Sequence, residues 1–204
     1  MTYAEIDLVT SAGGNIGSMS RCLDRLGVTY HLTGNNQPPR GDRPIVLPGV
    51  GAFGTVMNSL KENDFARTLQ KLIEHGTPFL GICVGMQVLF DSSEEAPGVP
   101  GLGIIGGDVV RFDAAKVPQI GWNKITPRQD IDQKTQWHPG FVYFVNSYYA
   151  RPKNPDVTLY SADYGQTFCA AVQTENITAF QFHPEKSGDM GQSLITRWLS
   201  NVSK

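Results

Sequence analysis

Cys83, His183 and Glu185 are the residues whose types and settings would do chemistry together. Cys83 lies in "PFLGICVGMQVLF" (78–90), where an apolar run enters Gly-x-Cys-x-Gly through Gly81 and Gly85 and leaves into a segment of helical pattern. This is the cysteine counterpart of the Gly-x-Ser-x-Gly nucleophile elbow, a strand-to-helix turn that holds its central side chain out at the tip. So sharp a turn brings neighbouring main chain close, and a side chain at 81 or 85 would clash. The N–H groups and positive dipole end of the following helix would favour thiolate over thiol. Most isolated cysteines are instead small buried packing residues, and Cys22, in a helical stretch, and Cys169, in an apolar strand, read that way.

A thiolate nucleophile needs a proton carrier that can later protonate the leaving group, and imidazole suits both jobs. Of the four histidines, His31 lies in an early strand, His75 near a helix end and His138 in a polar loop before a proline. His183 differs: in "FQFHPEKS" it ends an apolar run, and Glu185 follows two residues later across a proline. The rigid Pro184 turn could aim both side chains at one site, with Glu185 orienting the ring and stabilising its charged form. A turn histidine beside a solvated glutamate is the plainer alternative.

Two glycine-rich stretches invite phosphate chemistry and do not support it. "PGVGAFG" (48–54) lacks the Gly-Lys-Ser/Thr ending of a P-loop. "SAGGNIGS" (11–18) has Ala12 where a dinucleotide fingerprint needs glycine, and no acidic residue at the required distance downstream. What "PGVGAFG" does offer is backbone, since its glycines let a peptide present an N–H to a developing negative oxygen. Together with the N–H of Val84 it would make an oxyanion hole; a simple tight turn after a strand is the alternative.

The elements that must position these groups are legible in outline. "AEIDLV", "VTYHL", "RPIVLP" and "PFLGIC" read as short strands, with helical spacing between them in 16–26 (Ile16, Met19, Leu23, Leu26) and in 65–75 (Phe65, Leu69, Leu72, Ile73). Strands alternating with helices predict a mostly parallel central sheet with helices on both faces. In the second half, "VYFVNSYYA", "TFCAAVQ" and "ITAFQFHP" are strand-like with little helix between them, which predicts an antiparallel extension, and "GQSLITRWLSNV" predicts a last helix. A chain of 204 residues with 40% hydrophobic residues fits one α/β domain spanning 1–204. Its net charge of -2 argues against a nucleic-acid partner. Three widely spaced cysteines, with no zinc-site spacing, predict no metal and a reducing, cytoplasmic setting. Glu5 and Asp7 stand where a signal peptide would be basic and then apolar, and no window nears the roughly 18 apolar residues of a membrane span.

Taken together, "GICVGMQ" and "FHPEKS", about 100 residues apart, resemble the paired motifs of the class I (triad) glutamine amidotransferases. The resemblance spans the whole chain and maps Cys83, His183 and Glu185 onto that family's triad. Within the family, "PGVGAFG", "SSEEAPGVPGLGIIGG", "QIGWNKI" and "YFVNSYYA" are most similar to the glutaminase subunit that serves imidazole glycerol phosphate formation in histidine biosynthesis. The resemblance implies glutamine hydrolysis through a glutamyl thioester, without a cofactor. It also implies Val50 as the second oxyanion donor and glutamine held against Gly51, Gln87, Glu95, Asn146, Ser147 and Tyr148. A carboxylate such as Glu95 suits the ammonium of a free amino acid. The implied partner is a (β/α)8-barrel cyclase that takes the ammonia directly, for which this chain has no room, since such a barrel needs about 250 residues. Asn15, Trp122, Tyr143 and Lys186 match positions near that interface. Three alternatives remain open: an amidotransferase subunit for another acceptor, a stand-alone cysteine hydrolase of the same fold, and a non-catalytic binding subunit. The third would be expected to have lost Cys83, His183 or Glu185, and all three are present.

Overall fold

The computed structural model describes residues 5–10, 16–34, 36–128 and 137–202. In chain order the first half holds β1 (Ile6–Val9), α1 (Ile16–Arg25), β2 (Tyr30–Thr33), β3 (Ile45–Gly49), α2 (Phe53–Lys61), α3 (Phe65–Glu74), β4 (Phe79–Cys83) and α4 (Val84–Gln87). The second half holds β5 (Ser92–Ser93), β6 (Gly107–Arg111), β7 (Gln119–Pro127), β8 (Gly140–Asn146), β9 (Tyr148–Pro152), β10 (Thr158–Asp163), β11 (Thr167–Thr174), β12 (Ile177–Phe180) and α5 (Gly188–Val202).

The strands follow the path β2-β1-β3-β4-β12-β11-β10-β7-β8. From β2 to β12 every pair is parallel, and from β12 to β8 every pair is antiparallel. The parallel strands β1, β3, β4 and β12 are buried at every residue, as their unbroken apolar runs require of a sheet covered on both faces. The last strand in sequence, β12, sits beside β4 in the middle of this sheet, with Phe180 opposite Ile82. Two stretches far apart in the chain therefore end at the same edge. Off the main path, β9 pairs with β11 and β6, and β5 with β6.

The helical spacing read in the sequence matches the buried faces: Met19 and Leu23 of α1 and Phe65, Leu69 and Ile73 of α3 are buried, with Ile16, Leu26 and Leu72 packed against the core. Phe112, Phe168, Phe144 and Phe182 form a chain of edge-to-face ring contacts, and Phe182 stacks on Phe180 at 5.0 Å, so an aromatic spine joins the antiparallel half to the parallel one. Among the described residues, no helix is long and apolar enough to cross a membrane.

Two expectations need correction. "VYFVNSYYA" is not one strand: it breaks at Ser147 into β8 and β9, which join different neighbours, and Asn146 turns the chain there by donating from Nδ2 to Tyr148 O at 3.0 Å. The helix expected after the elbow is the single turn α4, four residues long, so it brings the sulfur a few oriented N–H groups and little of a full helix dipole.

Candidate active site

Cys83 ends β4 with φ +56° and ψ −113°, a conformation that a side-chain-bearing residue holds at a cost of about 1–3 kcal/mol. The surrounding backbone imposes it. A Cβ on Gly85 would stand 2.0 Å from Leu47 O, and one on Gly81 would stand 2.5 Å from Gly85 O. The elbow thus closes against its own entry strand on one side and against β3 on the other. The parallel register pairs Gly49 with Cys83, which sets the following Val50–Gly51 turn beside the sulfur.

His183 reaches the same place from the other half of the chain. After β12, the Gln181 N–H donates to Ala170 O and the His183 N–H to Tyr143 O, each at 2.9 Å. Pro184–Lys186 then makes one 3-10 turn, which folds Glu185 back onto the ring: His183 Nδ1 and Glu185 Oε1 are 2.9 Å apart, with both side chains almost wholly buried. Ser187 braces the turn, donating from Oγ to His183 O at 2.6 Å and accepting from Tyr143 N at 2.9 Å. Burial alone would lower the proton affinity of His183, but Cys83 and Glu185 outweigh it and push the pKa up to about 10.

That shift predicts a stability signature. A histidine whose pKa is raised on folding stabilises the fold fully below its ordinary value near 6.5, and the gain is lost as pH rises towards about 10. Urea midpoints of the native chain and of Glu185→Gln are therefore expected to differ most near pH 6 and to converge towards pH 10. A constant difference across that range would count against the His183–Glu185 pair as its source.

Cys83 and His183 open into one cavity of about 320 Å³. All six residues that the family resemblance implies for glutamine line it, as do Val50 and Val84. Glu95 does a second job, accepting from Phe53 N through Oε2 at 2.7 Å and so holding the start of α2. Asn146 keeps Oδ1 buried, with no hydrogen-bond partner among the described residues. Of the four residues implied for a partner interface, Lys186 lines the cavity, Trp122 and Tyr143 stand outside it, and Asn15 lies outside the described residues.

Three residues at the site escaped the sequence reading. Pro118 and Val145 line the cavity, and Gln181, wholly buried, points Nε2 at Cys83 Sγ from 3.8 Å. The only sequence signal for Gln181 is a glutamine inside the apolar run "ITAFQFHP".

Beside the cavity mouth lies an exposed apolar face. The β7–β8 register pairs Ile120 with Val145, Trp122 with Tyr143 and Lys124 with Phe141. Ile120, Trp122 and Phe141 are 61%, 57% and 59% exposed, and the Trp122 and Tyr143 rings meet edge to face at 6.1 Å. Val145 belongs both to this face and to the cavity wall, so the two are continuous.

Comparison with known proteins agrees over nearly the whole chain. The profile of the glutamine amidotransferase class-I family matches residues 8–201. The chain is 39% identical over 205 residues to the imidazole glycerol phosphate synthase subunit HisH of Geobacillus thermodenitrificans (strain NG80-2), covering 97% of this chain and 96% of that protein. It is 42% identical over 203 residues to the subunit of the same name from Deinococcus radiodurans, covering 98% and 94%. It is 41% identical to imidazole glycerol phosphate synthase hisHF, chloroplastic, of Arabidopsis thaliana, matching 95% of this chain but 34% of that longer protein. Among solved structures, PurLQS from Thermotoga maritima superposes with a TM-score of 0.78 at 17% identity, covering 98% of this chain and 99% of that one. A crystal structure of a glutamine amidotransferase gives 0.75 at 18%, covering 97% and 98%. Those two likenesses speak for the fold.

Proposed function

The chain belongs to the class-I glutamine amidotransferase family, and on that footing we propose that it is the glutaminase subunit of an imidazole glycerol phosphate synthase in histidine biosynthesis. The observation that carries this reading is geometric: Cys83, at a strained backbone tip, shares one cavity with His183, whose far side is bonded to Glu185.

In the proposed reaction, the Cys83 thiolate attacks the side-chain amide carbon of glutamine, and the oxyanion is held by the N–H groups of Val50 and Val84. The His183 imidazolium gives its proton to the departing nitrogen, which leaves as ammonia, and a glutamyl thioester remains. Neutral His183 next takes a proton from a water that attacks the thioester. Glutamate departs, and the thiolate and imidazolium are restored. Glu185 holds the ring through Nδ1 and balances its charge in both steps. The Glu95 oxygen that does not hold α2 is suited to the substrate ammonium, and Gly51, Gln87, Asn146, Ser147 and Tyr148 complete the glutamine pocket.

The ammonia goes to a (β/α)8-barrel cyclase. Support for such a partner comes from the exposed Ile120–Trp122–Phe141 face, which runs into the cavity wall at Val145, and from the Arabidopsis relative, in which the matched region is part of a longer chain. The test is glutamate release by the purified chain with and without the cyclase and its ribotide ligand. Release should rise on addition of both, and turnover indifferent to them would overturn the coupled reading. Trp122→Ala combined with Ile120→Ser is expected to weaken the complex by roughly 30-fold or more in calorimetry, the scale of an aromatic anchor, with hydrolysis by the isolated chain changed less than about 2-fold. Unchanged affinity would move the interface elsewhere.

A further inference from the structure

We infer that Gln181 is a hydrogen-bond donor to the nucleophile, held in the donating orientation by a relay that begins at the main chain of the glutamine pocket. The inference rests on reading Cys83 as the nucleophile. Its starting point is Tyr148 O, a main-chain carbonyl that can only accept. Gln87 Nε2 lies 3.2 Å from it and Asn146 Nδ2 lies 3.0 Å from it, so both groups must be amide nitrogens. The second N–H of Gln87 then needs an acceptor, which is Gln181 Oε1 at 3.0 Å. With its oxygen committed to Gln87, Gln181 has its NH2 left for Cys83 Sγ, 3.8 Å away. Each amide is oriented by the one before it, and the chain of reasoning ends at the sulfur.

Burial gives the contact weight. Gln181 is wholly buried, which shields its amide from water and strengthens the bonds it makes. A thiolate is a stronger acceptor than a thiol, so a donor fixed at this distance favours the charged form and holds the sulfur in one rotamer. The titratable groups around the sulfur are His183, with Glu185 behind it, and Glu95, Tyr148 and Lys186 in the cavity wall. Gln181 adds a donor that does not titrate. Because the relay is anchored at Tyr148, it also ties the placement of the sulfur to the strand that lines the glutamine pocket.

Gln181→Met keeps the length of the side chain and removes the donor. In the complete complex, kcat for glutamine hydrolysis should fall roughly 10- to 100-fold, the worth of a hydrogen bond to a charged group, with KM changed less than about 2-fold. The pH midpoint for alkylation of Cys83 by iodoacetamide, read by mass spectrometry without glutamine or partner, should move to higher pH. A packing role alone would not move it. Gln87→Met, which removes the orienting bonds and leaves the Gln181 donor itself in place, should move the midpoint in the same direction by less, and adding it to Gln181→Met should change nothing further. An unmoved midpoint in Gln181→Met overturns the inference; if that variant does not fold, an unmoved midpoint in Gln87→Met does so, as do additive shifts in the pair. Because alkylation needs no glutamine, a shifted midpoint in a chain that hydrolyses no glutamine would sink the proposed reaction and leave the relay standing.

Discussion

Cys83→Ser is expected to reduce glutamine hydrolysis by about 10⁴-fold or more, as severely as Cys83→Ala, although serine keeps a nucleophilic atom at the same tip. The reason lies in His183. A serine nucleophile needs a neutral imidazole to take its proton at the moment of attack. Here the ring is held protonated by the groups around it, with a pKa of about 10, a state that suits a partner already ionised and fails one that is not. Removing the sulfur relaxes part of that hold, but Glu185 remains bonded to Nδ1 at 2.9 Å and still favours the charged ring. Glutamate release by the complex measures the effect. A serine variant within about 100-fold of the native rate would show that His183 acts first as a base, and the proposed order of proton transfers would fall.

Gly85→Ala should be among the most damaging single methyls in the described residues, and it falls at the elbow itself. Its Cβ would sit 2.0 Å from Leu47 O, a main-chain atom, and has no rotatable bond by which to move away. Neither side can yield cheaply: β3 and β4 are paired from Ile45↔Phe79 to Gly49↔Cys83, so moving Leu47 moves the whole strand and the Val50 turn with it. We expect a loss of about 3 kcal/mol or more in urea unfolding, or a folded protein whose glutaminase rate is down at least 100-fold because the elbow has opened. Gly98→Ala is the control. Its φ of +82° costs strain, but nothing lies within 4 Å of the added carbon, so about 1 kcal/mol and no loss of activity are expected. Equal effects at the two positions would mean that backbone conformation, and not the close approach, makes Gly85 necessary.

The parts of the site that were legible in the sequence are those whose physical reasons are local. Gly81 and Gly85 bracket Cys83 because the turn cannot close around side chains, and His183 and Glu185 lie two residues apart across a proline, so each pair announces itself within a few positions. Residues of one cavity contributed by the turn after β3, by α4 and by the β8–β9 turn could be grouped only through family resemblance, since no spacing brings them together. The strand β7 went unread because its faces contradict the usual rule. On β7 the large apolar residues Ile120 and Trp122 point to solvent, and Gln119, at the buried end, has no partner among the described residues for either side-chain polar atom. Alternation gives the period of such a strand but not which face is inside. The Gln181 relay was invisible for a similar reason: a glutamine in an apolar run looks like an interruption until Gln87, from an element almost a hundred residues earlier, is seen against it.

The bond from His183 N–H to Tyr143 O, 2.9 Å long, places the imidazole in an unexpected cooperative unit. His183 follows β12 in sequence, yet its amide is locked by β8, and Ser187 doubles the tie by accepting from Tyr143 and donating back to His183. In the language of hydrogen exchange, regions that open together form one foldon, and membership is decided by hydrogen bonds and not by order along the chain. By that measure His183 keeps time with the strand that carries Tyr143 on its solvent face, while Cys83 keeps time with the buried parallel core. The two partners in proton transfer are thus tied by hydrogen bonds to different strands, and the site is intact only while both ties are closed.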